Sequence, residues 1–474
     1  TEGDEGFSRL GQVWSEPTVA KIRVKKGSKY ESKDVIIVSG GYDMCYEDPK
    51  FRLKSSGDDS SCDKKTQAEG NAVYILDADD GSILSSISGS STGTNHTSVN
   101  TMRHSVVGGV TALDRDDDGN IDHLYYADLG GSVYRADLNA GATSASLVKR
   151  VVRVLDASSG QTLPYRFYER PIVSFYTSPY QEIFASVTVA SGDRSTPLSM
   201  LRDTGNPNYL FNLFDYDIAQ PSIFRYTDTE LLTKDKTTSD LILLPFKQNN
   251  DLKDKTNKAA LETIAEGSYN ETKQRYIYDS AGWRYPLTNF DGYSGVEGVK
   301  SVGEPLAYGN RLYTTAFSPE MVYDQEDNCS ARIVGGSERQ VYCMPYGICN
   351  DTTSLDGTAG YSRAGKGIQE LTLGAYSKDQ RNVKLLIGNQ SLADQVKVAN
   401  RNGYGVGSGG LNATNKAGLQ VTNNTIVNDG TTGSGGKSDN VIATNGKASS
   451  DRPLGYEKYK FIPKRWYELY EKDE

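Results

Sequence analysis

The feature that most constrains this chain is a strand phrase that occurs twice. Residues 70–77 read GNAVYILD and residues 130–137 read GGSVYRAD, so both fit Gly-x-x-Val-Tyr-x-x-Asp, 60 residues apart. GNRLY at 309–313 keeps the glycine, the apolar residue and the tyrosine. Each phrase couples a turn residue to a β-branched and aromatic run, which is the signature of a strand leaving a tight turn. Similar β runs precede the first two, DVIIVSGGYD at 34–43 and DHLYYADLGG at 122–131. Strand pairs recurring at tens of residues predict a repeat array in which each unit buries a face against the next. The expected fold is therefore all-β, a modified and decorated β-propeller. A two-sheet sandwich is the alternative.

Composition agrees with this reading. The chain has 48 Gly and 31 Tyr among 474 residues, a bias toward turns and strands rather than helices. Only 250–266 shows helical spacing, with Ala260, Leu261, Ile264 and Ala265 on one side, and it predicts a short helix on an insertion. LDADDGSIL at 76–84 reads as a turn between the outer strands of a blade. We expect residues 1–395 to form the propeller body and the Asn/Gly/Ser-rich stretch 396–450 to be a flexible insertion. Residues 451–474 are expected to supply a closing strand and an acidic tip.

A net charge of −9 argues against a nucleic-acid partner, since phosphate binding needs a basic surface. No apolar run is long enough for a membrane-spanning helix. The first residues show no signal region, so we expect a mature chain or a domain of a longer protein. Cys45 and Cys62 form one group and Cys329, Cys343 and Cys349 another, without zinc-type spacing. This favours disulfides, hence an oxidising compartment, with one cysteine left over.

The chemistry concentrates at 114–122, Asp-Arg-Asp-Asp-Asp-Gly-Asn-Ile-Asp. Carboxylates stand at positions 1, 3, 5 and 9, with a glycine at 6 for the sharp turn. Alternate side chains of such a loop converge on one point, and a hard cation taking 6–8 oxygens suits that set. The predicted ligands of one Ca²⁺ are Asp114, Asp116, Asp118, Asp122 and the backbone carbonyl of Asn120. Asp117 is expected to face solvent, and Arg115 has no predicted role. Position 12, where an EF-hand carries a bidentate Glu, is Tyr125, and the flanks are strands. The affinity expected is on the order of 10⁻⁶ to 10⁻⁴ M.

The phrase GGVTALDRDDDGNIDHLYYADLGGSVYRADL (108–138) resembles the calcium-loop blade of the PilC/PilY family, type IV pilus tip-associated biogenesis factors and adhesins. VWSEPTV (13–19), SGDRSTPL (191–198), GEPLAYGNRLYTTAFSP (303–319), CSARIVGGSERQVYCMPYGIC (329–349) and IPKRWYE (462–468) resemble it too. The likeness implies a C-terminal propeller domain of a larger secreted protein at the bacterial cell surface, on the pilus tip and outer-membrane associated. It implies that calcium occupancy regulates pilus extension and retraction, twitching motility, surface attachment and virulence. The implied partners are pilins or minor pilins, the pilus assembly machinery, and a host-cell or abiotic surface. No RGD tripeptide is present.

Other functions compete less well. VYILDADDGSIL is similar to quinoprotein blades, yet the vicinal cysteine pair of those dehydrogenases is absent, as are HExxH and a phosphate loop. We therefore expect no enzyme. A calcium-stabilised structural or ligand-binding propeller of another bacterial surface protein is the remaining alternative. Gly192, Asp193, Arg194 and Asp203 are expected to form a strand-end turn with an ion pair, and Trp283–Tyr285 to be either core or exposed adhesive surface.

Overall fold

The computed structural model describes residues 6–375 apart from 91–94, 139–146, 203–204, 245–254, 288–296, 309, 321–333 and 349–360. Beyond 375 it describes four short strands, within 383–391 and 419–428. The expected flexible insertion is thus largely, and the closing strand entirely, outside the described residues.

The chain folds into successive antiparallel sheets, each built mainly from strands consecutive in sequence. The first contains Thr18–Lys26, Lys29–Ser39, Ala72–Asp77 and Ile83–Ser88. The second contains Thr111–Leu113, His123–Ala127, Ser132–Leu138 and Val148–Asp156. The third contains Ile172–Thr177, Ile183–Ala190, Tyr209–Asp215 and Gly282–Pro286. In the fourth, Arg311–Ser318, Gly336–Cys343 and Tyr361–Lys366 follow two short edge strands. A three-stranded sheet begins at Leu371.

These sheets are propeller blades, and the second and third each bury both faces between their neighbours. Side chains alternate across a strand, and the alternation here sorts residues between two cores. In the second blade Leu124 and Tyr126 pack toward the first blade, while Tyr125 and Ala127 pack toward the third. In the third blade Phe211 and Leu213 face the second, while Leu210 and Phe214 face the fourth. Phe, Tyr and Trp fill these wide gaps with large buried areas, which accounts for the tyrosine-rich composition. Trp283 and Tyr285 are core, Trp283 donating its indole N–H to Pro345 O at 2.7 Å. Backbone bonds at the strand ends tie consecutive blades, as in Leu129 N–Ser105 O at 2.9 Å and Gly192 N–Arg166 O at 3.0 Å.

The two complete phrases occupy the third strand of the first and second blades. GNRLY instead enters the second strand of the fourth blade, so it is a local likeness and not an equivalent position. The LDADDGSIL turn does join the third and fourth strands of its blade. The expected helix is Lys255–Ala265, and its Ile264 is buried with Ala260 and Leu261 packed beside it. It decorates the excursion between the last two strands of the third blade. Cys45 and Cys62 form a disulfide. Cys343 is also disulfide-bonded.

Candidate metal centre

The acidic loop closes the hairpin between the first two strands of the second blade, whose last register pair is Leu113 with His123. Nine residues must turn between them, so the backbone folds inward and Asp114 holds it there. Its carboxylate accepts from the backbone N–H groups of Asp117 (2.7 Å), Asp118 (3.2 Å) and Gly119 (2.8 Å). Asp117 and Gly119 have φ of 62° and 86°, the left-handed region that Gly occupies without penalty and Asp tolerates. Asp122 closes the far side, accepting from Arg115 N at 3.0 Å.

The result is a convergence of carboxylates. Oxygens of Asp114, Asp116 and Asp122 all lie within 4.8 Å of one another. Two oxygens across a single Ca²⁺ stand up to about 5 Å apart, so the three match one ion. The donors are all oxygen, the choice of a hard cation. Asn120 Oδ1, on a residue only 8% exposed, is buried without a partner. Burial pushes the Asp122 carboxyl above its usual range, and the Asp116 charge adds to this against the opposing bond from Arg115 N. The residues present therefore fit a calcium ion.

Asp118 does not join this group. Its Oδ1 accepts from Asn120 N (2.8 Å) and Nδ2 (3.1 Å), and its Oδ2 faces Arg23 of the first blade at 3.6 Å. Asp117 is exposed, as expected. Two partners had no signal in the loop itself. Arg23 is some ninety residues away in sequence. Arg115 acts through its backbone N–H, and its guanidinium lies 5.5 Å from the centre of the Phe224 ring.

Directly behind the loop lies a second charged group. His123 pairs in register with Asp137 and shares a 2.8 Å hydrogen bond with it. Asp137 also accepts from Arg135 (2.8 Å) and Arg150 (2.6 Å), and Arg135 reaches Asp215 of the third blade at 2.6 Å. Tyr125 donates to that same Asp215 at 2.8 Å. The side chains of His123, Arg135, Asp137 and Asp215 are all 0% exposed. Although burial opposes it, the Arg135 guanidinium with His123 and Arg150 holds Asp137 below the usual carboxylate range. The signal was legible: charged residues 135 and 137 alternate with apolar ones in a strand that is buried throughout.

No protein family matches the chain by sequence, and no curated protein does. Among solved structures, its fold is similar to the crystal structure of the Pseudomonas aeruginosa PilY1 C-terminal domain. That likeness has 14% identity and a TM-score of 0.48, covering 81% of this chain and 72% of that one. A duf4221-family protein from Bacteroides vulgatus gives a TM-score of 0.23 at 10% identity, covering 79% of this chain and 90% of that one. No described helix is long and apolar enough to cross a membrane.

Proposed function

We propose that this chain is a calcium-binding propeller domain of a type IV pilus-associated surface protein, and that it acts as a binding module rather than an enzyme. The observation that carries the calcium reading is the convergence of Asp114, Asp116 and Asp122 within 4.8 Å. The pilus reading is supported by the loop's continuation into YYADLGGSVYRADL and by the further phrases that resemble the PilC/PilY family.

Bound calcium would supply the positive charge that the three carboxylates lack. Asp114 fixes the backbone of the turn, and Asp122 with Arg115 N fixes its exit. The loop bears on a neighbouring segment from both of its flanks. Arg115 reaches Gln220 O at 3.5 Å, and His123 stacks on Phe224 with centroids 5.4 Å apart. Arg150 adds bonds from the network to the carbonyls of Ile223 and Tyr226. Residues 220–226 lead out of the third blade, so the order of the loop is transmitted to the surface where the second and third blades meet. That surface is the proposed contact for pilins, minor pilins or the assembly machinery at the cell surface. The self-paired network behind the loop favours a regulatory calcium over one needed for folding.

The test is Asp116→Asn in the full-length protein in its own bacterium, comparing surface pili and twitching at low and high calcium. The proposal expects calcium to change piliation in wild type and the response to vanish in the variant. Unchanged piliation and twitching in a variant that no longer binds calcium would overturn the pilus role and leave only the metal site.

A further inference from the structure

The turn after Ile183–Ala190 was expected to hold an ion pair of its own, but its charges are satisfied from further away. Asp193 binds Arg166 at 2.8 Å, Arg194 binds Glu169 at 2.7 Å and also Glu370, and Asp203 lies outside the described residues. The first hairpin of the first blade is different. Residues 21–34 carry six cationic and two anionic side chains, a net charge of +4 in a chain of −9. The third strand of the sheet pairs only with Val35–Ser39, so 21–34 stand out from it as a ribbon two strands wide. Ile22 and Val24 pack inward with the second blade. Lys21, Arg23 and Lys25 take the opposite face, successively about 6.8 Å apart. Tyr30 stands across from Lys25, and Lys29 across from Lys26. The partners within the ribbon are weak, Asp34 at 4.0 Å from Lys21 and Glu31 at 3.1 Å from a Lys26 that is 76% exposed. Among the described residues Lys25 and Lys29 have no anionic partner, and both are exposed.

Lysine commonly guards a free sheet edge, but that role does not account for this group. The corresponding hairpin of the third blade, Ile172–Thr177 with Ile183–Ala190, also lies at the edge of its sheet and holds no lysine or arginine. What sets the first hairpin apart is its contact with the acidic loop. Arg23 faces Asp118 at 3.6 Å, and Ile121 N donates to Lys21 O at 2.8 Å. Residues 114–122 carry five aspartates and one arginine, a net charge of −4 that cancels the ribbon. With one Ca²⁺ in the loop the two together carry +2.

We infer that the ribbon is the docking site for an acidic, extended segment of a partner protein, and that calcium in the loop strengthens the docking. The inference rests on the calcium reading of the loop. Charge decides the sign of the partner and shape decides its class. Lys33 binds Asp77 at 2.8 Å and Asp79 at 3.7 Å on one side, and Asp118 stands on the other, so carboxylates flank the ribbon. A flat anionic membrane or a nucleic-acid duplex would meet those carboxylates too. A single extended segment follows the ribbon alone, and its alternate side chains repeat at the spacing of Lys21, Arg23 and Lys25. Tyr30, 55% exposed, offers it an apolar contact beside the Arg23 guanidinium, which lies 5.3 Å from the ring centre.

The probe is acetyl-(Glu-Thr)₄-amide, acidic at alternate positions, with acetyl-(Gln-Thr)₄-amide as the neutral control. Both are titrated into the chain by calorimetry at fixed ionic strength, in calcium and in chelator, after calcium binding is measured on the same sample. The Glu peptide should bind in calcium, bind at least about fivefold more weakly in chelator, and weaken as salt rises. By reciprocity, saturating Glu peptide should tighten calcium by the same factor. Lys25→Glu/Lys29→Glu should lose the peptide while the variant keeps its Tm and still binds calcium. Calcium binding without Glu-peptide binding, equal peptide binding in chelator, equal binding of the Gln peptide, or undiminished binding by the lysine variant would overturn the inference and leave the calcium reading standing. Binding of phosphatidylglycerol vesicles but not of the Glu peptide would overturn it in favour of a membrane partner. Failure of calcium itself to bind would overturn both.

Discussion

The loop 114–122 and the network behind it are built from the same residue type and resolve its charge in opposite ways. In the network, Asp137 and Asp215 sit among Arg135, Arg150 and His123, so each buried carboxylate has a cation within hydrogen-bonding reach. In the loop, three carboxylates crowd together, and the neighbouring guanidinium of Arg23 faces Asp118 rather than the group. Asp128 shows a third solution. It is fully buried, it accepts from Gly130 N and Ser132 N, and burial raises its carboxyl to about 7, so it is relieved by a proton. The comparison teaches that buried carboxylates supplied with internal cations hold blades together, whereas those without them take a proton, as at Asp128, or converge into a group that could hold a metal ion, as in the loop.

The largest effect should come from the network. Arg135→Met takes from Asp215 its cation and leaves Asp137 only Arg150 and His123, and breaking such a buried pair costs about 3–5 kcal/mol. Urea unfolding should show this loss with and without calcium. A loss that vanished on adding calcium would mean that loop and network are not separate devices.

Next in size is calcium itself. At a hundredfold excess over Kd, it should stabilise the wild-type domain by about 2.7 kcal/mol through binding the native state alone. Arg135→Met should show the same increment, read as the calcium-induced Tm shift.

The proton-relieved carboxylate gives a smaller effect. The folded value of Asp128 lies above its unfolded one, so the native state holds this proton more tightly. The stability it contributes is present at low pH and is lost as pH rises through about 7. Its share of the fall between pH 5.5 and 6.5 is about 1 kcal/mol, and Asp128→Asn should flatten that slope in a series of denaturation curves.

The smallest effect belongs to Arg23. Its 3.6 Å contact with Asp118 is half-exposed, and exposed pairs are worth about 0–1 kcal/mol. Arg23→Gln should leave Tm nearly unchanged while tightening calcium a few-fold, since it removes a positive charge from beside the acidic loop. Weaker calcium binding would show that Arg23 supports the loop.

Much of this was legible in the sequence, for local reasons. A glycine followed three and four residues later by Val and Tyr marks a turn and a strand wherever it occurs, and the period of the acidic loop is set by backbone geometry alone. The helix carried its own apolar spacing at Ala260, Leu261 and Ile264. What the sequence could not place were partners joined across blades. Arg23 meets Asp118, Arg166 meets Asp193, and Arg135 meets Asp215, each through folding that brings distant residues together. The expected place of Asp118 among the converging carboxylates shows the limit from within one loop. Spacing sets where a side chain starts, while the neighbours Asn120 and Arg23 decide where its oxygens end.

The most direct test of the central claim is a calorimetric calcium titration of the chelator-treated domain beside its Asp116→Asn variant. Asp116 is the exposed member of the three, so its loss should spare the fold. The account predicts one saturable site in wild type, absent or at least tenfold weaker in the variant, with unchanged stability in the absence of calcium. No binding by folded wild type, or equal binding by both proteins, would contradict it.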